Sequence, residues 1–302
     1  MSAPMGESIE LAALPPQRAV EIETPGRRFL RRFRRQYAGL VALVYLMMLT
    51  AVAVVAPVIT PYDPNKGILL ERNQGPSAKH WFGTDDLGRD VFSRLLVSAR
   101  VSLLATVQAT AISIAVGTPF GLLAGYARGW IDTLTSRVTD AVMAIPALLF
   151  ALAIVGILGR DVTNAMIAIG LVNAPRFYRV VRGVTLVVRE QTFIEAARAT
   201  GATLVRVVLL HVLPNVTSPL IVQASLSMGF AILFEASISF LGLGVQPPEA
   251  SWGTMLGRSA QFMEDHPYLV VFPGLAIFFT VLAFNVLGDA INDSLNRRTT
   301  MR

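Results

Sequence analysis

The stretch EAARATGATLVRVVLLHVLPN, from Glu195 to Asn215, separates two long apolar segments of the chain. Its small residues favour a helix up to Thr200, and Gly201 is placed to end that helix in the left-handed conformation that glycine adopts at little cost. Helical spacing resumes at residues 203–213, and Pro214 is expected to close the second helix, because the residue before a proline avoids the helical conformation. The stretch therefore predicts a helix, a turn and a helix that project from a membrane.

The composition around this stretch is that of a membrane protein. Hydrophobic residues make up 53% of the 302 positions and charged residues only 15%, with a mean hydropathy of +0.56. A soluble domain cannot cover so much apolar surface. The net charge of +6 comes from arginines beside apolar segments, without an aromatic-rich basic patch, which favours membrane flanks over nucleic acid. Cysteine is absent and the three histidines are isolated, so we expect this chain to bind no metal or cofactor.

Candidate membrane spans follow from the apolar segments. A bilayer core about 30 Å thick needs a helix of roughly 20 apolar residues. Six segments qualify, and they are residues 37–59, 101–127, 134–158, 163–181, 219–241 and 268–287. In the fifth, Ser218 is expected to be the N-cap and Pro219 to lie in the first turn. The sequence thus predicts an all-α polytopic membrane protein with about six transmembrane helices.

The ends of the chain and its loops complete the domain plan. Residues 1–36 combine prolines, glutamates and an arginine run, and are expected to form a disordered basic cytosolic tail. Residues 37–293 form the membrane domain, with a cytosolic loop at about residues 183–218, and residues 294–302 form a cytosolic C-terminal tail. Arginine and lysine are enriched in cytosolic loops, and this bias places both termini and the Glu195 stretch in the cytosol.

Glycine and proline residues within the spans predict how the helices pack and where they bend. The second span contains GTPFGLLAG, Gly117 to Gly125, whose glycines recur every four residues and allow another helix to approach closely. The sequence leaves open whether that neighbour belongs to this chain or another. Pro119, Pro146 and Pro273 are expected to kink or break their helices.

Polar residues inside the spans form a second group of candidates. Glu235 is the acidic residue expected to lie deepest, and a charge at a helix centre is usually functional. Ser237 follows it, while Asn285 and Asp289 stand one turn apart on the sixth span. These four residues either line a translocation path or make hydrogen bonds between helices.

The Glu195 stretch has the properties of a docking element. Ala196, Ala197 and Ala199 make a thin helix that a groove on another protein can admit, and Glu195 and Arg198 can anchor its polar side. An ordinary amphipathic loop on the membrane surface is the alternative.

Several motifs carry a family resemblance. With Glu195, Ala196, Ala197, Gly201, Leu213 and Pro214 at the matching places, the stretch resembles the cytoplasmic loop signature of permease subunits of binding-protein-dependent ABC importers. The segments FGTDDLGRDVFSRLL from Phe82, EASISFLGLGVQPP from Glu235, SWGTML from Ser251 and FPGLAIFFTVLAFNVLGDAIND from Phe272 are similar to the second, C-type permease of the dipeptide and oligopeptide branch. The resemblance extends roughly from Leu40 to Asp293.

The resemblance implies a type I ABC importer permease fold in the bacterial cell membrane and a role in importing short peptides. The Glu195 stretch, including Arg198, would be the loop that couples the spans to cytosolic ATPases. The implied partners are a homologous second permease, two P-loop ATPase subunits and an extracytoplasmic binding protein. The chain itself would be non-catalytic, with ATP and Mg bound by the partners, and its two lysines, Lys66 and Lys79, lie in no P-loop motif.

The sequence leaves three alternative functions open. An ABC importer of nickel chelates or another small solute would share the same motifs. A proton-coupled secondary transporter would use intramembrane carboxylates such as Glu235, and a structural anchor would bind proteins without transporting anything.

Overall fold

The computed structural model describes residues 24–295, which form eleven α-helices and no strand. In chain order these helices are α1 Pro25–Phe33, α2 Tyr37–Ile59, α3 Val91–Ala127, α4 Gly129–Ala144, α5 Ala147–Leu158, α6 Val162–Val188, α7 Thr192–Ala199, α8 Leu204–Val207, α9 Leu213–Phe240, α10 Trp252–Ser259 and α11 Tyr268–Leu295. The prediction of an all-α membrane protein is confirmed.

The long helices overlap all six predicted spans, but their bounds differ: α3 begins at Val91 rather than at residue 101, and α11 ends at Leu295 rather than at residue 287. Four helical stretches are long and apolar enough to cross a membrane, namely Tyr37–Ile59, Val91–Ala127, Leu204–Phe240 and Tyr268–Leu295, and α4 with α5 gives a fifth crossing if the bent pair counts as one. The predicted span at residues 163–181 is indeed helical as part of α6. Arginines in its second half make α6 too polar to qualify by composition alone.

The predicted third span is broken at Pro146. Helices α4 and α5 are bent by 95° at this point rather than forming one helix over residues 134–158. Ile145, directly before the proline, has the extended conformation with φ −82° and ψ 133°, as expected from the clash between a proline ring and a preceding helical residue. Pro119 and Pro273, by contrast, lie inside the continuous helices α3 and α11.

The glycine repeat of α3 packs against α6. A Cβ atom added at Gly117 would lie 2.5 Å from the carbonyl oxygen of Ala174, and one added at Gly121 would lie 2.8 Å from that of Tyr178. At Gly125 the added atom would lie 2.7 Å from the Cβ of Thr185. The predicted close helix approach is therefore confirmed, and the neighbouring helix belongs to the same chain.

The predicted N-terminal tail is partly helical. Residues 25–33 form α1 rather than a disordered segment, because Phe29 and Phe33 stack with ring centroids 5.8 Å apart and Phe33 is buried beside Gly39 of α2. This apolar anchor holds the basic helix against the bundle. The rest of the tail, residues 1–23, and residues 296–302 lie outside the described residues, and α11 extends two residues past the predicted boundary at 293.

The two ends of the bundle carry different structures. At one end lie α7, the turn after it, α8 and a π-helical turn at Val208–Val212, and we call residues 189–212 the EAA segment. At the opposite end, which we call the outer end, residues 60–90 and 241–267 pack over the helices with α10 among them. Buried His80 holds the first of these loops through hydrogen bonds to Asp90 (2.9 Å) and Glu71 (3.3 Å).

Candidate functional site

The EAA segment is anchored by an apolar face. Ile194 of α7 is fully buried, as are Val207 of α8 and Val212 of the π turn. These side chains share one core cluster with Leu122 near the end of α3 and Val188 at the end of α6. The segment is therefore packed on the ends of the two central helices, so a force on it reaches the bundle directly.

Gly201 ends α7 as predicted. Its φ is +80°, in the left-handed region, and its backbone N–H donates to the carbonyl of Arg198 (2.9 Å). The N–H of Ala202 donates to the carbonyl of Ala197 (3.1 Å), and both of these half-buried alanines pack against the buried cluster. This pair of bonds, together with the apolar contact, is the Schellman arrangement that terminates a helix sharply.

The opposite face of α7 is open. Glu195 and Ala196 are exposed, Ala197 is half-buried, and within residues 24–295 the Glu195 carboxylate has no hydrogen-bond or ion-pair partner. Arg198 is exposed but occupied, because its Nε donates to the Tyr126 hydroxyl (3.0 Å) and its guanidinium lies 4.9 Å from the centre of that ring. Of the two residues predicted to bind a partner, Glu195 is therefore exposed and available for contact, whereas Arg198 links α7 to α3 through Tyr126.

Arginine contacts that the sequence does not predict support the same end of the bundle. Arg128 donates to Glu190 at 2.8 Å, and Arg189 approaches the same carboxylate at 3.1 Å. Arg189 also donates to the backbone carbonyl of Tyr126. The contacts of Arg128 with Glu190 and of Arg189 with Tyr126 join residues about 60 positions apart in the sequence, and no local pattern indicates them.

The second half of the segment differs from the prediction. Pro214 does not close a helix, and Ser218 does not cap the fifth span, since the chain is helical without a break from Leu204 to Phe240. The π turn at Val208–Val212 ends two residues before the proline. Its wider i to i+5 spacing makes room for a ring that would clash with the carbonyl four residues earlier in a regular helix. The Asn215 side-chain amide donates a hydrogen bond to the His211 carbonyl at 2.7 Å.

Glu235 is a buried junction between helices. Its side chain is 1% exposed and accepts hydrogen bonds from Ser102 of α3 (3.3 Å) and from Ser239 one turn along α9 (2.8 Å). The Ser102 hydroxyl also accepts from the backbone N–H of Trp252 at the start of α10 (3.3 Å). Glu235 therefore links three helices at the outer end, which favours the helix-packing interpretation.

The other polar candidates do not join Glu235. Ser237 donates to the carbonyl of Leu233 in its own helix (2.7 Å). Asn285 lies against Gly229 of α9, where an added Cβ would be 3.2 Å from its side-chain oxygen, and Asp289 is exposed one turn further along α11. These contacts do not bring the four predicted residues together into one site. Among residues 24–295, no group of three or more histidine, aspartate or glutamate side chains is placed to hold a metal ion.

Two known family models match the sequence of this chain. A family model described as the binding-protein-dependent transport system inner membrane component matches residues 117–301. A second, described as the N-terminal TM domain of oligopeptide transport permease C, matches residues 24–76.

Curated relatives cover nearly the whole chain. The glutathione transport system permease protein GsiD of Escherichia coli O1:K1 is 46% identical over 287 residues, which are 95% of both chains. The protein of the same name from Pectobacterium atrosepticum is 43% identical over the same share of each chain.

Solved structures show the same fold at lower identity. An inward-facing structure of the MetNI methionine ABC transporter aligns with a TM-score of 0.57 at 19% identity, covering 68% of this chain and 98% of the other. A second crystal form aligns with a TM-score of 0.55 at 20% identity, covering 65% and 94%. The prediction of a type I importer permease fold is confirmed.

Proposed function

Because the chain belongs to the family of binding-protein-dependent transport system inner membrane components, we propose that it forms half of the translocation pathway of an ATP-driven importer of short peptides. The chain is a multi-pass permease of the bacterial inner membrane, and this assignment replaces the alternative of a proton-coupled carrier. The observation that carries the proposal is the EAA segment, which has one face packed on the central helices and Glu195 exposed on the other.

The proposed complex contains three kinds of partner. This chain pairs with a homologous but distinct permease, and each permease meets one of two cytosolic P-loop ATPases. An extracytoplasmic binding protein delivers cargo to the outer end. The ATPases bind ATP and Mg, which agrees with the absence of a P-loop motif in this sequence.

Coupling follows from the two faces of the EAA segment. A cleft on the ATPase receives the thin, exposed side of α7, and Glu195 supplies a charge for recognition. Closure of the ATPase pair moves α7, and the buried side transmits that movement to α3, α6 and α9. For ATP to drive transport, the ATPases must bind the inward and outward states with different affinities.

The proposed cargo is a short peptide. Support comes from the relatives that are named for glutathione, itself a tripeptide, and from the match to a domain named for oligopeptide transport. Nickel chelates and other small solutes are the alternative cargoes.

The experiment is a reconstitution of the complex recovered with the tagged chain in gentle detergent. We expect mass spectrometry to identify a second permease, P-loop ATPases and a binding protein, and vesicles to take up glutathione with ATP. Glu195→Lys should lower transport-coupled ATP hydrolysis without affecting insertion, because it reverses the exposed charge of α7. Glu264→Lys is the matched control, since this exposed glutamate lies at the outer end.

Two results would contradict the proposal. Recovery of the chain alone would contradict the proposed partners. Equal transport-coupled ATP hydrolysis by Glu195→Lys and the wild type would contradict the proposed role of α7. Uptake of a nickel chelate but no peptide would retain the importer and change its cargo.

A further inference from the structure

Helix α6 carries three arginines at intervals of three residues, and two of them are paired with carboxylates. Arg179 donates to Asp140 of α4 at 2.8 Å. Arg182 forms a bidentate pair with Asp132, which also lies in α4. The Arg182 Nη2 is 2.8 Å from one of the two carboxylate oxygens. Both pairs join α6 to α4 on the side toward the EAA segment.

Arg176, the third, has no carboxylate within 4 Å among residues 24–295. Its guanidinium lies 3.9 Å above the centre of the Phe230 ring of α9, and the side chain is exposed on the surface of the chain. An aromatic face orients a guanidinium and attracts it, but it does not neutralise the charge. The N–H donors at the edge of the guanidinium therefore remain able to bind an anion.

Along the helix axis, Arg176 lies near the middle of α6. It follows the start of α6 at Val162 by fourteen residues and precedes the end at Val188 by twelve, roughly 21 and 18 Å along the axis. The flanking residues Ala174 and Phe177 contact Gly117 in the glycine repeat of α3, a membrane-spanning helix. Arg176 is thus at membrane depth, where charged side chains face a protein interior or an aqueous path and mark function.

The adjoining face of α9 is polar but uncharged. Ser227 and Gln223 precede Phe230 by three and seven residues, so they lie on the same side of the helix. The Gln223 amide donates to the Ser227 hydroxyl at 3.1 Å. A single positive charge beside neutral hydrogen-bonding groups suits a small anion better than a cation.

We propose that Arg176 is a cation of the translocation path that binds the free carboxylate of the cargo during its passage. A guanidinium recognises a carboxylate through two parallel N–H donors, and Phe230 keeps the plane of the group fixed for that contact. The ligand class is small carboxylates, such as the C-terminus of a short peptide. The inference rests on the proposed function of this chain as a peptide importer.

The test compares a free tripeptide with its C-terminal amide. Vesicles containing the complete complex, with the binding protein and ATP, are assayed for the initial uptake rate of both compounds. We expect Arg176→Gln to lower the ratio of acid to amide uptake by about tenfold or more relative to the wild type. Arg179→Gln on the same helix should keep the wild-type ratio, because its guanidinium already pairs with Asp140. The binding protein is the same throughout, so its own selectivity cancels.

A second variant separates cargo recognition from assembly. Arg176→Lys keeps the charge without the planar fork, and it should assemble and retain a reduced preference for the acid. An Arg176→Gln complex that assembles but keeps the wild-type ratio of acid to amide uptake would overturn the inference. If the wild-type complex moves neither compound, the proposed peptide import fails first.

Discussion

At Gly201 the backbone φ is +80°, and a Cβ added there would meet no atom within 4 Å. The site therefore needs the conformation of glycine rather than its small size. Gly201→Ala should destabilise the turn by about 1 kcal/mol, whereas Gly201→Asn should cost less, because asparagine tolerates the left-handed region. Proteolysis within residues 189–203 and ATP-driven uptake measure the effect. Equal rates of proteolysis and uptake for the two variants would show that backbone strain at residue 201 does not cause the loss of stability.

Glu235 offers a second contrast between similar side chains. In Glu235→Leu the hydroxyls of Ser102 and Ser239 lose a buried acceptor, and each unsatisfied group costs about 1–3 kcal/mol. Glu235→Gln keeps an acceptor and should have a melting temperature close to that of the wild type. Thermal unfolding of the purified complex in detergent provides the comparison. If Glu235→Gln melts normally but loses transport, the residue belongs to the path instead of the junction.

At the scale of elements, the contact between α3 and α6 depends on the absence of side chains. Gly121→Val places atoms against the backbone of Tyr178, and overpacking of this kind costs about 1–3 kcal/mol or more. Gly183→Val on α6 is the matched control, because nothing lies within 4 Å of a Cβ added there. Size-exclusion profiles of the two variants should show aggregation for the first only. A normal profile for Gly121→Val would mean that the helices separate easily.

The loop at residues 60–90 is expected to loosen in acid. Hydrogen bonds from Lys79 and His80 hold the pKa of Glu71 below its ordinary value of 4.5. The resulting stabilisation is complete above the ordinary pKa and disappears as the pH falls through the lower, folded-state value. Cleavage of this loop by an acid-stable protease should rise in that range. Glu71→Gln should cleave with a weaker pH dependence, and identical profiles would exclude Glu71 as the cause.

Local patterns predicted individual elements better than their junctions. The break at Pro146 and the left-handed turn at Gly201 each depend on one residue and its neighbours, and both were predictable. The continuous helix through Pro214 was not, because the π turn that accommodates the ring has no sequence signature of its own. Likewise, Arg198 was expected to face a partner protein, yet a tyrosine 72 positions earlier binds it.

At the scale of the whole molecule, the predicted topology can be tested without preparing a cysteine-free background, since the chain contains no cysteine. Asn65 and Thr200 are exposed at opposite ends of the bundle. A membrane-impermeant maleimide should label Asn65→Cys in intact cells and Thr200→Cys only after lysis, because the arginine bias places the EAA segment inside. The reverse pattern would invert the topology.

The unbroken helix from Leu204 to Phe240 gives the molecule a mechanical lever. Its 37 residues extend for about 55 Å, from the EAA segment to the neighbourhood of the Glu235 junction near the outer end. A rod of this length turns a small tilt at one end into a displacement of several ångströms at the other, without passing through a flexible joint. Closure of the ATPases at one end of this helix and opening of the path for cargo at the other would then be parts of one rigid-body motion.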